Sequence, residues 1–134
     1  MIDGERLVYE LLQAAAPPGT QVLPESDLDV LGELPVWMFH TDSDGQSENG
    51  PGLWSFTLDV NVFGNGIDAA KQQARLCYDA IWSWMDDPAA TVIDGVGWVS
   101  EVEDMSLFSR AGTPALTGRG VSQYAGSFAL ALRN

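Results

Sequence analysis

The sequence predicts an α+β domain, with a mixed or antiparallel four- to five-stranded sheet and two helices packed on one of its faces. Three observations predict it. From Trp54 to Val62, Trp54, Phe56, Leu58, Val60 and Val62 alternate with Ser55, Thr57, Asp59 and Asn61, the period of two of a strand with one buried and one wetted face. Past the breakers Gly64, Asn65 and Gly66 the spacing becomes helical, and Ala70, Ala74, Cys77, Tyr78, Ile81 and Met85 share one stripe. Finally, the elements follow the order helix, strand, strand, helix, strand, strand, which two helices over one sheet face can satisfy.

The first helix is expected over Asp3–Ala16, with Asp3 as N-cap and Leu7, Val8, Leu11, Leu12 and Ala15 as its apolar stripe. Pro17, Pro18 and Gly19 stop it. Thr20–Leu23 suits a short strand, and the acidic segment PESDLDVLGELP (24–35) reads as loop with a possible helical turn. Val36–His40 is the next strand, joined to the Leu53 strand by the polar, glycine-rich stretch 41–52, a flexible hairpin loop. The second helix runs from Ile67 to Met85, ending before Asp86, Asp87 and Pro88. Lys71, Arg75 and Asp79 follow at spacings of four on a solvated face, where they can pair. Gly97–Glu103 suggests a strand of imperfect alternation, residues 105–119 a second flexible loop, and Val121–Arg133 a final strand. That last strand puts Tyr124, Phe128, Leu130 and Leu132 on one face and Ala125, Ser127, Ala129 and Ala131 on the other. The small residues either admit a closely approaching element or subunit, or form an ordinary alanine-lined surface. With a parallel crossover from the Leu53 strand to the Gly97 strand, the two loops emerge at opposite ends of the sheet.

One domain accommodates 134 residues without metal or disulfide support. Cys77, the single cysteine, sits in the core stripe of its helix, so no intrachain disulfide forms; an intracellular or assembly-protected setting is expected. The first residues lack the basic start and apolar run of a signal peptide, and no stretch reaches the roughly 18 apolar residues of a membrane span. The formal charge of -13 opposes wrapping of nucleic acid by cationic contacts. It is compatible with a surface past which DNA slides, a DNA mimic, a partner of a basic protein, or plain solubility.

Charge also marks candidate contact residues. The first loop carries Asp42, Asp44 and Glu48; the second carries Arg110 and Arg119 and no acid after Asp104. Two such loops on one chain suit a head-to-tail contact between identical subunits, which closes into a ring when the rotation permits. On the second helix Leu76, flanked by Ala69 and Ala80, points away from the core stripe. It is either a second packing surface or a singly exposed leucine.

Catalytic constellations are not found, and the sequence argues against an enzyme. His40 is the only histidine, no GxSxG frames a serine, and GRGVSQ (118–123) lacks the third glycine of a dinucleotide fingerprint and precedes a strand. Asp42, Asp44, Gly45 and Glu48 lack the distal glutamate of a calcium loop. No cofactor or metal is expected.

With these elements in place, LDVNVFG (58–64), AAKQQARLCYDAIWSWM (69–85), GWVSEVEDM (97–105), a glycine- and arginine-bearing loop and YAGSFALALRN (124–134) resemble the tail terminator proteins of long-tailed, lambda-type bacteriophages, particularly phages of actinobacteria. The chain departs from them in its acidic insertion from Thr41 to Gly52 and in Gln123, where an arginine often stands. The resemblance implies a hexameric ring, without catalytic residues, in the virion at the head-proximal end of the tail. Such a ring is assembled in the host cytoplasm, ends tube growth and presents a surface to head-completion proteins. Its partners would be further copies of itself, the tail tube protein and the connector, with double-stranded DNA passing through unbound and no membrane involved. The acids would line the channel, and the Arg110–Arg119 loop would meet a subunit or the tube. Two other readings stand: a neck or tube subunit, and a small acidic immunity protein or antitoxin neutralising a basic enzyme.

Overall fold

The computed structural model describes residues 1–25, 33–112 and 114–134. Its elements are α1 (Gly4–Ala15), β1 (Gln21–Pro24), β2 (Val36–Gln46), β3 (Leu53–Asn65), α2 (Ile67–Asp86), a 3-10 turn (Pro88–Thr91), β4 (Trp98–Ala111), the short helix α3 (Pro114–Thr117) and β5 (Val121–Arg133). The strands form one five-stranded sheet in the order β1-β2-β3-β5-β4. Among the described residues only β1 and β2 are parallel neighbours; the other pairs are antiparallel. The fold is therefore α+β with a mixed sheet. β3 and β4 both pair antiparallel to β5, so they run parallel to each other with β5 inserted between them. The β2–β3 turn and the β4–β5 connection consequently lie at opposite ends of the sheet.

Both longer helices cover the same face. Asp3 caps α1 by accepting the Arg6 backbone N–H at 3.0 Å, and Leu7, Val8, Leu11 and Leu12 go into the core. α1 lies over β1 and β2, and α2 over β3, β5 and β4. The alternation of β3 is realised, with Phe56, Leu58, Val60 and Val62 buried. α2 buries Ala70, Ala74, Cys77, Ile81 and Trp84. Met85 is 41% exposed and does not belong to the stripe, because at about 100° per residue Trp84 and Met85 lie on opposite flanks of the buried set Ala70, Ala74, Cys77 and Ile81, and the core takes in the Trp84 flank. Two polar links fix this layer. Trp37, fully buried on β2, donates its indole N–H to Gln73 Oε1 of α2 at 2.9 Å. Thr91 Oγ1 accepts the Val99 N–H at 2.8 Å, holding the 3-10 turn on the start of β4. Gly64 has no room for a Cβ, which would lie 2.7 Å from the Ala70 backbone nitrogen; this is how α2 starts so close to the end of β3.

Both expected loops are shorter than the sequence suggests. β2 continues to Gln46, leaving residues 47–52 as the turn, with a bulge between Ser43 and Gly45. β4 continues to Ala111, interrupted by register shifts between Val99 and Glu101, Asp104 and Ser106, and Ser106 and Ser109. Each shift reverses the inward and outward positions, so period-two reasoning loses the strand. Beyond β4 the connection folds back over the second sheet face, where Leu116 joins Val36, Met38 and Phe63 in a separate small core. Of the loop with a possible helical turn expected over 24–35, residues 26–32 lie outside the described residues.

Candidate assembly surfaces

The sheet face turned away from α1 and α2 is divided in two. One end is closed by the small core under Leu116. Over the remainder, cross-strand register aligns His40 with Asp59, Asp42 with Thr57, Asp59 with Ser127, Thr57 with Ala129, and Glu101 and Glu103 with Ala131 and Ala129. This surface is acidic at its flanks and small along β5. Its polar groups are tied to one another. Ser127 Oγ donates to Asp59 Oδ1 at 2.6 Å, Gln123 Nε2 to Asn61 Oδ1 at 2.8 Å, and Thr57 Oγ1 to Asp44 Oδ2 at 3.4 Å. His40 stands between carboxylates, Nδ1 3.0 Å from Glu25 Oε2 and Nε2 3.1 Å from Asp42 Oδ1. Among the described residues no three histidine, cysteine or acidic side chains converge in a group that could hold a metal ion.

The acids singled out from sequence are therefore split. Asp42 and Asp44 are strand residues of β2, anchored to neighbours on the open face, and only Glu48 is in the turn. The arginines are split as well. Arg110 lies in β4 opposite Tyr124, on the helix side of the sheet, while Arg119 is exposed in the turn after α3. That turn is held by the Gly66 N–H donating to Gly120 O at 3.1 Å. On α2, Leu76 is 39% exposed; Ala69 is exposed, and Ala80 is half-buried against the main core.

A second surface, which sequence reasoning missed, lies where α2 meets the far half of β4. Lys71, Ala74, Arg75, Tyr78 and Asp79 of α2 face Leu107 and Phe108 of β4 and Tyr124 of β5 across an open, mainly apolar groove of about 450 Å³. Its geometry has a local cause. A Cβ on Gly126 would meet the Phe108 ring at 3.0 Å, so the missing side chain lets the ring settle on β5, 6.0 Å from Phe128 and edge-on to it. One carboxylate ties the two walls together. Asp104 of β4 accepts from Tyr78 Oη at 2.9 Å and from the Trp82 indole N–H at 2.8 Å. The hydrogen bond to Asp104, with smaller contributions from desolvation and the carboxylate charge, raises the Tyr78 pKa above its ordinary value. Behind the groove Cys77 is fully buried, and burial pushes its thiol pKa up, leaving an unreactive packing group. Leu107 is 64% exposed at the rim. The sequence signal was the apolar pair Leu107–Phe108 inside a polar stretch. Compared with models of known protein families and with curated proteins, the chain matches none.

Proposed function

We propose that this chain is a structural protein of a long-tailed bacteriophage virion, a tail terminator. It forms a hexameric ring on the head-proximal end of the tail tube, ends tube polymerisation and offers the joining surface to the head-completion proteins. The observation that carries this reading is the division of labour between the two sheet faces. Helices cover one; the other presents Asp42, Asp44, Asp59, Glu101 and Glu103 around the small residues of β5. Among the described residues its only arginine is Arg133, at one end. Copies arranged about an axis with this face inward would make a close-packed, negatively charged wall. DNA passing such a wall finds few cations to replace its counterions and does not bind. The likeness of residues 58–134 to tail terminators supports the same assignment, and so does the α+β layer. It requires no catalytic residue, cofactor or membrane, and among the described residues no helix is long and apolar enough to cross one.

The reading is tested by polymerising tail tube protein with and without this chain and measuring tube lengths by electron microscopy. Shortened tubes bearing a ring at one end are expected. Long tubes built from the purified chain alone would make it a tube subunit, and a tight one-to-one complex with a basic nuclease would make it an immunity protein.

A further inference from the structure

The chain has six lysines and arginines against nineteen acids, and none of the six lies between Leu7 and Ala70. Arg6 pairs with Glu10. Lys71 and Arg75 stand in the groove between α2 and β4, whereas Arg110, at the far end of β4, lines a separate hollow with Leu116 and Val121. Among the described residues none of these three cations makes an ion pair, although Asp79 stands one turn from Arg75. The pairing expected along that helix face is thus not formed. The groove offers unpaired positive charge beside an apolar floor and the exposed Leu107, and complementarity calls for a partner that brings acids and some apolar surface.

We infer that this groove receives the acidic β2–β3 hairpin end of a second copy of the chain, a contact that rests on the ring proposed above. The end of the hairpin carries Glu48 in its turn and Asp44 three residues before it, without a lysine or arginine, and adds the exposed Pro51 of the turn and the half-buried Leu53 that starts β3. Its position also fits. The turn adjoins the C-terminal end of β5, where the Asn134 N–H donates to Gly52 O, whereas the groove adjoins the start of β5 at Tyr124. β2 and β4 are separated by β3 and β5. Tip and groove are therefore at diagonally opposite corners and cannot meet within one molecule. Joining the tip of one copy to the groove of the next is a heterologous contact, the kind that propagates until a ring closes.

Charge reversal on both sides tests it. Lys71, Arg75 and Glu48 are all exposed, so both variants, Lys71→Glu/Arg75→Glu and Glu48→Lys, should keep the wild-type melting profile. By sedimentation velocity each alone should self-associate at least about tenfold more weakly than wild type, because like charges then face each other. An equimolar mixture should recover the ring, since every reversed tip meets a reversed groove and every native tip a native groove. Wild-type assembly by either variant alone, or a mixture that stays monomeric, would overturn this contact while leaving the ring intact. Loss of tail tube protein binding in the groove variant, with self-association unchanged, would assign the groove to that partner instead. A wild-type chain that stays monomeric with and without tube protein would remove both the contact and the ring.

Discussion

Leu76→Asp separates the stability of the subunit from that of the assembly. Leu76 is 39% exposed on α2, so about three-fifths of it is covered within the monomer. Full burial of a leucine is worth about 1.5–3 kcal/mol, and aspartate retains part of the Cβ contact. The lost burial comes to about 1 kcal/mol, to which the poorer helix propensity adds about 0.5 kcal/mol. Against a typical stability of about 5–15 kcal/mol the subunit remains folded, with its melting temperature lowered by about 4–8 °C. A seam is far less tolerant, because a carboxylate buried at an interface without a partner costs about 2–5 kcal/mol at every contact. The assay is a melting curve by circular dichroism paired with sedimentation velocity on the same sample. A folded monomer that no longer assembles is expected. Global unfolding would place Leu76 in the core and refute the partition; rings of unchanged stability would show that Leu76, with Ala69 and Ala80, is ordinary surface.

Three other perturbations address the layer of helices. Trp37→Phe removes the indole donor to Gln73 and part of a fully buried ring, and should lower stability by about 2–3 kcal/mol in urea titrations; combined with Gln73→Ala, the effects should be less than additive. The Cys77 thiol should ignore a disulfide reagent in native buffer and react once the chain is unfolded. Tyr78 should titrate above its ordinary value of 10.0, followed by NMR, and Asp104→Asn should bring it down. Because its folded pKa is raised, the stability it contributes is complete below pH 10 and is lost as pH rises through the folded pKa. Wild type should therefore lose stability relative to Tyr78→Phe only in that alkaline range, and a difference that fades on acidification would contradict the sign.

The legible parts of the fold were those where one periodicity runs unbroken against one core. β3 alternates from Trp54 to Val62, and α2 keeps its stripe from Ala70 to Ile81, because each packs a single face on a continuous apolar layer. Legibility fails where that condition fails. Thr41–Gln46 has little apolar content on either face, and backbone pairing to β3 makes it a strand. In β4 three register shifts scramble the alternation, so Leu107 and Phe108 read as loop although they wall a groove. Leu116 covers a second small core from a four-residue helix too short to show a period. The surfaces were partly legible. The acidity of the β2–β3 hairpin is a property of composition, whereas the meeting of Lys71 and Arg75 with Leu107 and Phe108 depends on the order β3-β5-β4, which local pattern does not encode.

The central claim is that this chain works as a closed ring on the tail tube, and native mass spectrometry of the purified protein tests it most directly, alone and with tail tube protein. A single closed species of six 14.4 kDa chains is predicted, persisting when the tube protein is bound. A 14.4 kDa monomer at every concentration and in the presence of tube protein would contradict it.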